Sequence, residues 1–146
     1  MRVFLLCLWV MMLVQLSEGC LRKLFPQERK GKKNRNANGG SHANSVFGNW
    51  NAVKGSNNGV NGNNNGVNGS FNGVYGHQNN VYGNFNAAGG CGNNIKGNAN
   101  GVFGNSNKVW GHANGVNGHG NKVQGIRNGV NGNGNVVVGI GNNISH

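Results

Sequence analysis

Asparagine recurs at every seventh position from Asn44 to Asn142, fifteen times without a miss. Two residues after each comes Val or Ile, from Val46 to Ile144, broken only by Ala88. Two further on comes Gly, from Gly48 to Gly139, without exception. The rule is N-x-V-x-G-x-x. A disordered Asn/Gly tract has composition without phase, whereas a phase held over roughly a hundred residues requires each unit to stack on an equivalent one.

The period of seven does not make a coiled coil. One apolar position per heptad leaves no a/d seam, and a Gly in every turn would cost about 1 kcal/mol each relative to Ala. Alternation within N-x-V-x-G instead puts Asn, Val and Gly on one side of a short strand and the two x residues on the other. Gly then permits a tight turn through positive φ. A seven-residue unit cannot close a circuit alone. The expected fold is therefore all-β, a β-solenoid or β-roll of two heptads per coil and about seven coils, on the order of 30 Å long at roughly 4.8 Å per coil. Three heptads per coil, giving a triangular section, is the structural alternative.

One aliphatic per heptad buries little apolar surface, so the inward Asn column must add hydrogen bonds along the stack. Asn is short, uncharged and both donor and acceptor; Asp at every coil would stack like charges. Ala88, with "AAGGCGNN" around it, marks the weakest coil and the expected place for a kink or cavity. Phe71 and Phe85 hold the same turn position fourteen residues apart and should stack if two heptads make a coil.

Outside the repeat the chain changes character. "MRVFLLCLWVMMLVQLSEGC" has Arg2, an apolar run from Val3 to Val14, and Ser17 and Gly19 at −3 and −1 before Cys20, which reads as a secretory signal peptide over residues 1–19. The run is shorter than the about 20 residues a transmembrane helix needs. A secreted, extracellular protein is expected, in the apoplast or cell wall. Residues 20–43 carry seven Lys or Arg and read as a disordered basic arm or pro-segment, serving either attachment to polyanions or solubility. After cleavage Cys20 and Cys91 remain; they could bridge, or stay separate with Cys20 pairing between chains.

Composition bears on chemistry through what is missing. Asp and Thr are absent, and the only acids are Glu18 and Glu28 against thirteen Lys plus Arg. Paired-carboxylate catalysis has no residues to run on, and an enzyme is not expected. No cofactor or metal is expected: His77, His112 and His119 fall in turns, with His77 and His119 three coils apart on one edge, and read as solvated. Neither nucleic acid nor a membrane is an expected partner.

With two heptads per coil, alternate heptads belong to opposite faces of the solenoid. One face carries Ser45, Gly59, Gly73, Ala87, Gly101, Gly115, Gly129 and Asn143, beside Phe47, Asn61, Tyr75, Gly89, Phe103, Asn117, Asn131 and Ser145, with no charge. The other carries Lys54, Lys96, Lys108 and Lys122 with the rings Tyr82 and Trp110. Rings in register can stack on sugar planes, and the lysines and basic arm suit an acidic cell-wall polysaccharide such as pectin. The plainer role for exposed rings is to cover Gly-rich backbone. Asn68-Gly69-Ser70 and Asn143-Ile144-Ser145 are N-glycosylation sequons, and a glycan on Asn68 would obstruct the lysine-bearing face. Exposed ladder edges at the ends of a solenoid would permit end-to-end self-association.

Repeated N-x-V-x-G heptads behind a signal peptide resemble the ice recrystallization inhibition and antifreeze proteins of cold-hardy grasses, ryegrass among them, over Asn44 to Ile144. The resemblance implies a left-handed β-roll with inward Val and Asn, and one flat outward face that binds an ice crystal surface. On this chain that face would be the uncharged one, through Ser45, Phe47, Gly59, Asn61, Gly73, Tyr75, Gly101, Phe103, Gly115, Asn117, Gly129 and Asn131. The grass repeats place Thr and Ser beside Val, as in N-T-V-S-G, where this chain has Gly, Asn and a ring at Phe47, Tyr75 and Phe103. Rings recurring every second coil are expected to interrupt flatness. The alternative is a cell-wall-associated structural or carbohydrate-binding protein using the lysine-bearing face.

Overall fold

The computed structural model describes residues 37–39 and 43–145. The expected signal peptide, Cys20 and most of the expected basic arm lie outside them. The described residues contain no helix and form sixteen strands: β1 (Ala37–Gly39), β2 (Ser45–Phe47), β3 (Ala52–Lys54), β4 (Gly59–Asn63), β5 (Gly66–Asn68), β6 (Gly73–His77), β7 (Asn80–Tyr82) and β8 (Ala87–Cys91), then β9 (Asn94–Asn98), β10 (Gly101–Asn105), β11 (Lys108–His112), β12 (Gly115–Asn117), β13 (Lys122–Ile126), β14 (Gly129–Asn131), β15 (Val136–Ile140) and β16 (Asn143–Ser145). Odd-numbered strands β1 to β15 form one eight-stranded parallel sheet, here sheet A, and even-numbered strands β2 to β16 form the other, sheet B. From β2 onward each strand pairs with the one a coil away at an offset of fourteen residues, as Val109 with Val123 and Val60 with Val74, while β1 pairs with β3 at an offset of fifteen. Two heptads therefore make one coil of a β-solenoid.

The core is the expected column. Thirteen aliphatic side chains from Val53 to Val137 are buried in one cluster, with Val46 and Ile144 partly buried at its ends. Ala88 produces no kink, because β8 keeps five-residue register with both β6 and β10. Ile95, in the second heptad of the same coil, adds one carbon to the column where Ala88 removes two. Phe71 and Phe85 stack with ring centroids 4.9 Å apart and planes within 1°. That separation is one coil of rise.

Twelve inward Asn, from Asn51 to Asn128, are buried, and their amides form two ladders, one at each corner of the coil. Asn86 shows the unit. Its Nδ2 donates to Oδ1 of Asn72 (3.1 Å) and to the carbonyl of Gly97 (2.8 Å), and its Oδ1 accepts from the backbone N–H (3.0 Å) and Nδ2 (3.1 Å) of Asn100. Both donor hydrogens are placed and the oxygen receives two. No buried side-chain polar atom among the described residues lacks a partner.

The invariant Gly has a second reason beyond its turn. Gly62 sits at φ 140°, and a Cβ there would fall on the carbonyl oxygen of Gly76 in the next coil. That same carbonyl accepts from Nδ2 of Asn65 at 2.8 Å. Close backbone stacking at the corner is thus what aims each carbonyl inward at an Asn. The residue before each Asn is also left-handed, and this the sequence did not reveal. Ala43, Trp50, Phe71, Phe85, Ala99, Ala113 and Arg127 all have φ between 56° and 61°, a conformation non-Gly residues disfavour.

Strand β1 precedes the first phased Asn. It pairs Ala37 with Ala52, and the N–H of Ala37 donates to the carbonyl of Asn51 at 2.9 Å. The stack thus takes in three residues of the segment read as basic arm; Asn38 stands at the Val position, so the heptad pattern carried no sign of it.

Two outcomes test these assignments. Asn86→Ala should lose about 3 kcal/mol or more in urea unfolding, since buried partners lose their hydrogen bonds, whereas outward Asn61→Ala should change stability by less than about 0.5 kcal/mol. Similar losses at both positions would contradict the division of roles. Ala99→Gly and Ala113→Gly should each stabilise by about 0.5 to 1 kcal/mol by relieving left-handed strain; a lower melting temperature would show that the turns are not strained there.

Candidate binding faces

Each strand exposes the residues on either side of its buried Val, so a sheet face is two rows of side chains stepping one coil at a time. On sheet B, strands β2, β4, β6, β10, β12 and β14 carry all twelve residues expected on an uncharged face. Neighbours pair directly, as Gly101 with Gly115 and Asn117 with Asn131. Tyr75 is 65 % and Phe103 54 % exposed. Phe103 does not stand clear of the sheet: its Cδ1 lies 2.8 Å from where a Cβ on Gly89 would be, so the ring leans across the neighbouring Gly. For this ring the backbone-covering role holds. Beyond Phe103, the outward residues of β12, β14 and β16 are Gly115, Asn117, Gly129, Asn131, Asn143 and Ser145, a ring-free strip.

Sheet A differs in charge and texture. Lys54 on β3, Lys96 on β9, Lys108 on β11 and Lys122 on β13 are exposed. Lys108 and Lys122 are direct neighbours, and Lys96 pairs with both Tyr82 and Trp110. No acidic side chain occurs among the described residues to neutralise them, because the only two acids are Glu18 and Glu28. Val136, Val138 and Ile140 of β15 are also exposed, an aliphatic end to the face that the repeat pattern did not single out. The sequon residues Asn68 and Asn143 are both exposed, Asn68 on sheet A and Asn143 on sheet B.

The turn edges carry a further ladder. At many coils the residue after the Gly, where it is Asn, Ser or His, offers its side chain to the backbone N–H of its counterpart one coil earlier. Cys91 N–H donates to Oδ1 of Asn105 (2.9 Å), Asn105 N–H to Nδ1 of His119 (3.0 Å), and His119 N–H to Oδ1 of Asn133 (2.8 Å). His77 likewise accepts from Asn63 N–H at 3.2 Å. His77 and His119, read as solvated turn residues, also cap the turn of the preceding coil; the signal for it was the frequency of Asn, Ser and His at that one position. Among the described residues no three His, Cys, Asp or Glu side chains come together as a metal site would require. Cys91 is disulfide-bonded; Cys20, read either as bridging to it or as pairing between chains, lies outside the described residues.

Neither a protein-family model nor a curated protein matches this chain.

The edge ladder predicts a local effect. Amide hydrogen exchange at Asn105 should accelerate about fivefold in His119→Ala, the worth of one lost hydrogen bond of about 1 kcal/mol. It should return to the original rate in His119→Asn, which restores an acceptor. An unchanged rate in His119→Ala would remove the capping role.

Proposed function

We propose that this is a secreted ice-binding protein that inhibits ice recrystallization through the outward face of sheet B. The observation that carries the reading is an uncharged face of eight in-register parallel strands, whose outward residues repeat in straight rows one coil apart. Regularly spaced, weakly polar groups hold water in ordered positions without competing strongly for it. A lysine ammonium is a compact, strongly hydrated charge that disturbs such an arrangement, which argues against sheet A. The heptads' resemblance to those of the grass ice-binding proteins supports the same choice.

Within sheet B the strip on β12, β14 and β16 is the best part of the surface, since it lacks rings altogether. Phe103, on the strand beside that strip, leans away from it over Gly89. The absence of Thr moves the recognition chemistry to Asn amides and to bare Gly backbone. This is a signature distinct from the hydroxyl-and-methyl rows of the grass repeats.

Recrystallization in a frozen sucrose film containing the full chain at micromolar concentration should be slower than in buffer. Asn117→Lys with Asn131→Lys should restore growth to the buffer rate, while Gln124→Lys on sheet A should leave inhibition intact. Grain growth equal to buffer with the unaltered protein would end the ice reading; equal loss in both variants would end the assignment to sheet B.

A further inference from the structure

The face of sheet A that the ice reading leaves unused has its own organisation. Three shallow depressions follow one another along it. The first is lined by Lys54, Asn68 and Tyr82, the middle one by Tyr82, Asn94, Lys96 and Trp110, and the third by Trp110, Lys108, Lys122 and the exposed valines Val136 and Val138. Tyr82 is shared by the first and second, and Trp110 by the second and third. The rings therefore divide one continuous track into compartments.

Register fixes the spacing. Lys96 pairs with Tyr82 on one side and Trp110 on the other, so the rings stand two coils apart with a cation between them. One coil rises about as far as the 4.9 Å between the stacked rings of Phe71 and Phe85. Both rings are about half exposed, 49 % for Tyr82 and 47 % for Trp110, so each offers part of its surface to a ligand while the rest packs on the sheet. An extended polysaccharide advances by about one coil's rise per sugar, so every second ring of such a chain meets an aromatic here. Sugars present C–H faces to aromatic rings, and uronic acids add a carboxylate per residue.

Charge selects the acidic member of that class. Four lysines share this face, two of them adjacent, and no described residue supplies a carboxylate.

We propose that the outward face of sheet A binds one extended uronic-acid polysaccharide laid along the stack axis, with Tyr82 and Trp110 as stacking platforms and Lys54, Lys96, Lys108 and Lys122 as carboxylate partners. This stands apart from the ice reading, which uses the opposite sheet. An N-glycan on Asn68 would occupy the first compartment, so sugar occupancy at that sequon regulates access to the track.

The test uses the full chain, produced without N-glycosylation, titrated with polygalacturonate at low salt by calorimetry. Polyglutamate serves as a polyanion without sugar rings, and single-stranded poly(dT) as one with bases. Tyr82→Ala with Trp110→Ala should weaken polygalacturonate binding at least tenfold and leave polyglutamate unchanged. Replacing the four lysines by Gln should weaken both. Circular dichroism of each variant checks that the solenoid persists, and Asn94→Ala, within the middle compartment, gives a milder variant with a smaller loss. Polygalacturonate binding unaffected by loss of both rings would overturn the proposal, as would tighter binding of poly(dT) than of polygalacturonate. The ring variant should still slow recrystallization, so failure of either reading leaves the other legible.

Discussion

At each corner of the coil an Asn amide reaches the carbonyl of a Gly one coil on, as Nδ2 of Asn107 does to Gly118 at 2.7 Å, and the rest of the molecule follows from making that contact repeatedly. The carbonyl points inward only because its residue has positive φ and no Cβ to block the backbone above it. The same Asn holds Oδ1 toward the next Asn of its column, receiving both its N–H and its Nδ2. A change at either residue therefore leaves buried partners unmatched in two coils. Three such bonds per heptad, at about 1 kcal/mol each, exceed the roughly 2 kcal/mol from burying one Val. The polar ladder, more than the aliphatic column, sets the rise and the register.

That dominance explains why the aliphatic column tolerates a lapse. Ala88 sits between Val74 and Val102 on sheet B, and the strand ladder runs through it unbroken because Asn86 and Gly90 on either side keep their bonds. It also explains why the turns accept left-handed residues as unlike as Trp, Gln, Phe and Arg. The corner geometry is imposed from inside, by the Asn and Gly, and the intervening residue takes the φ it is given. Outside, the edge ladder through Asn, Ser and His adds capping bonds where the backbone N–H would otherwise face water.

The solenoid, its two-heptad coil and the inward Asn and Val were legible because each follows from a phase that never slips. The Phe71–Phe85 stack was legible for the same reason: two rings at one phase must fall one coil apart. What stayed hidden obeys no single letter. The left-handed position before each Asn is filled by Asn, Phe, Ala, Ser, Gly and others, so only four glycines there hinted at it. The capping role of His119 depends on a backbone N–H one coil away that no local motif names. Strand β1 carries Asn38 where the repeat has Val, so its pairing with β3 lay outside the pattern. The two outward faces could be sorted residue by residue, but the lean of Phe103 over Gly89 and the division of sheet A by its rings are matters of side-chain placement.

Because the interior is specified so completely, the outward rows are free to differ, and they do: one uncharged with a ring-free strip over β12, β14 and β16, the other cationic and partitioned by rings. Both functional readings rest on the same premise, that inward and outward Asn are unlike residues sharing a letter. Side-chain amide hydrogen exchange, followed by nuclear magnetic resonance, addresses that premise most directly. The Nδ2 protons of the buried set from Asn51 to Asn128 should exchange slowly, and those of Asn61, Asn117 and Asn131 on sheet B rapidly. Uniformly rapid exchange across all of them would contradict that premise.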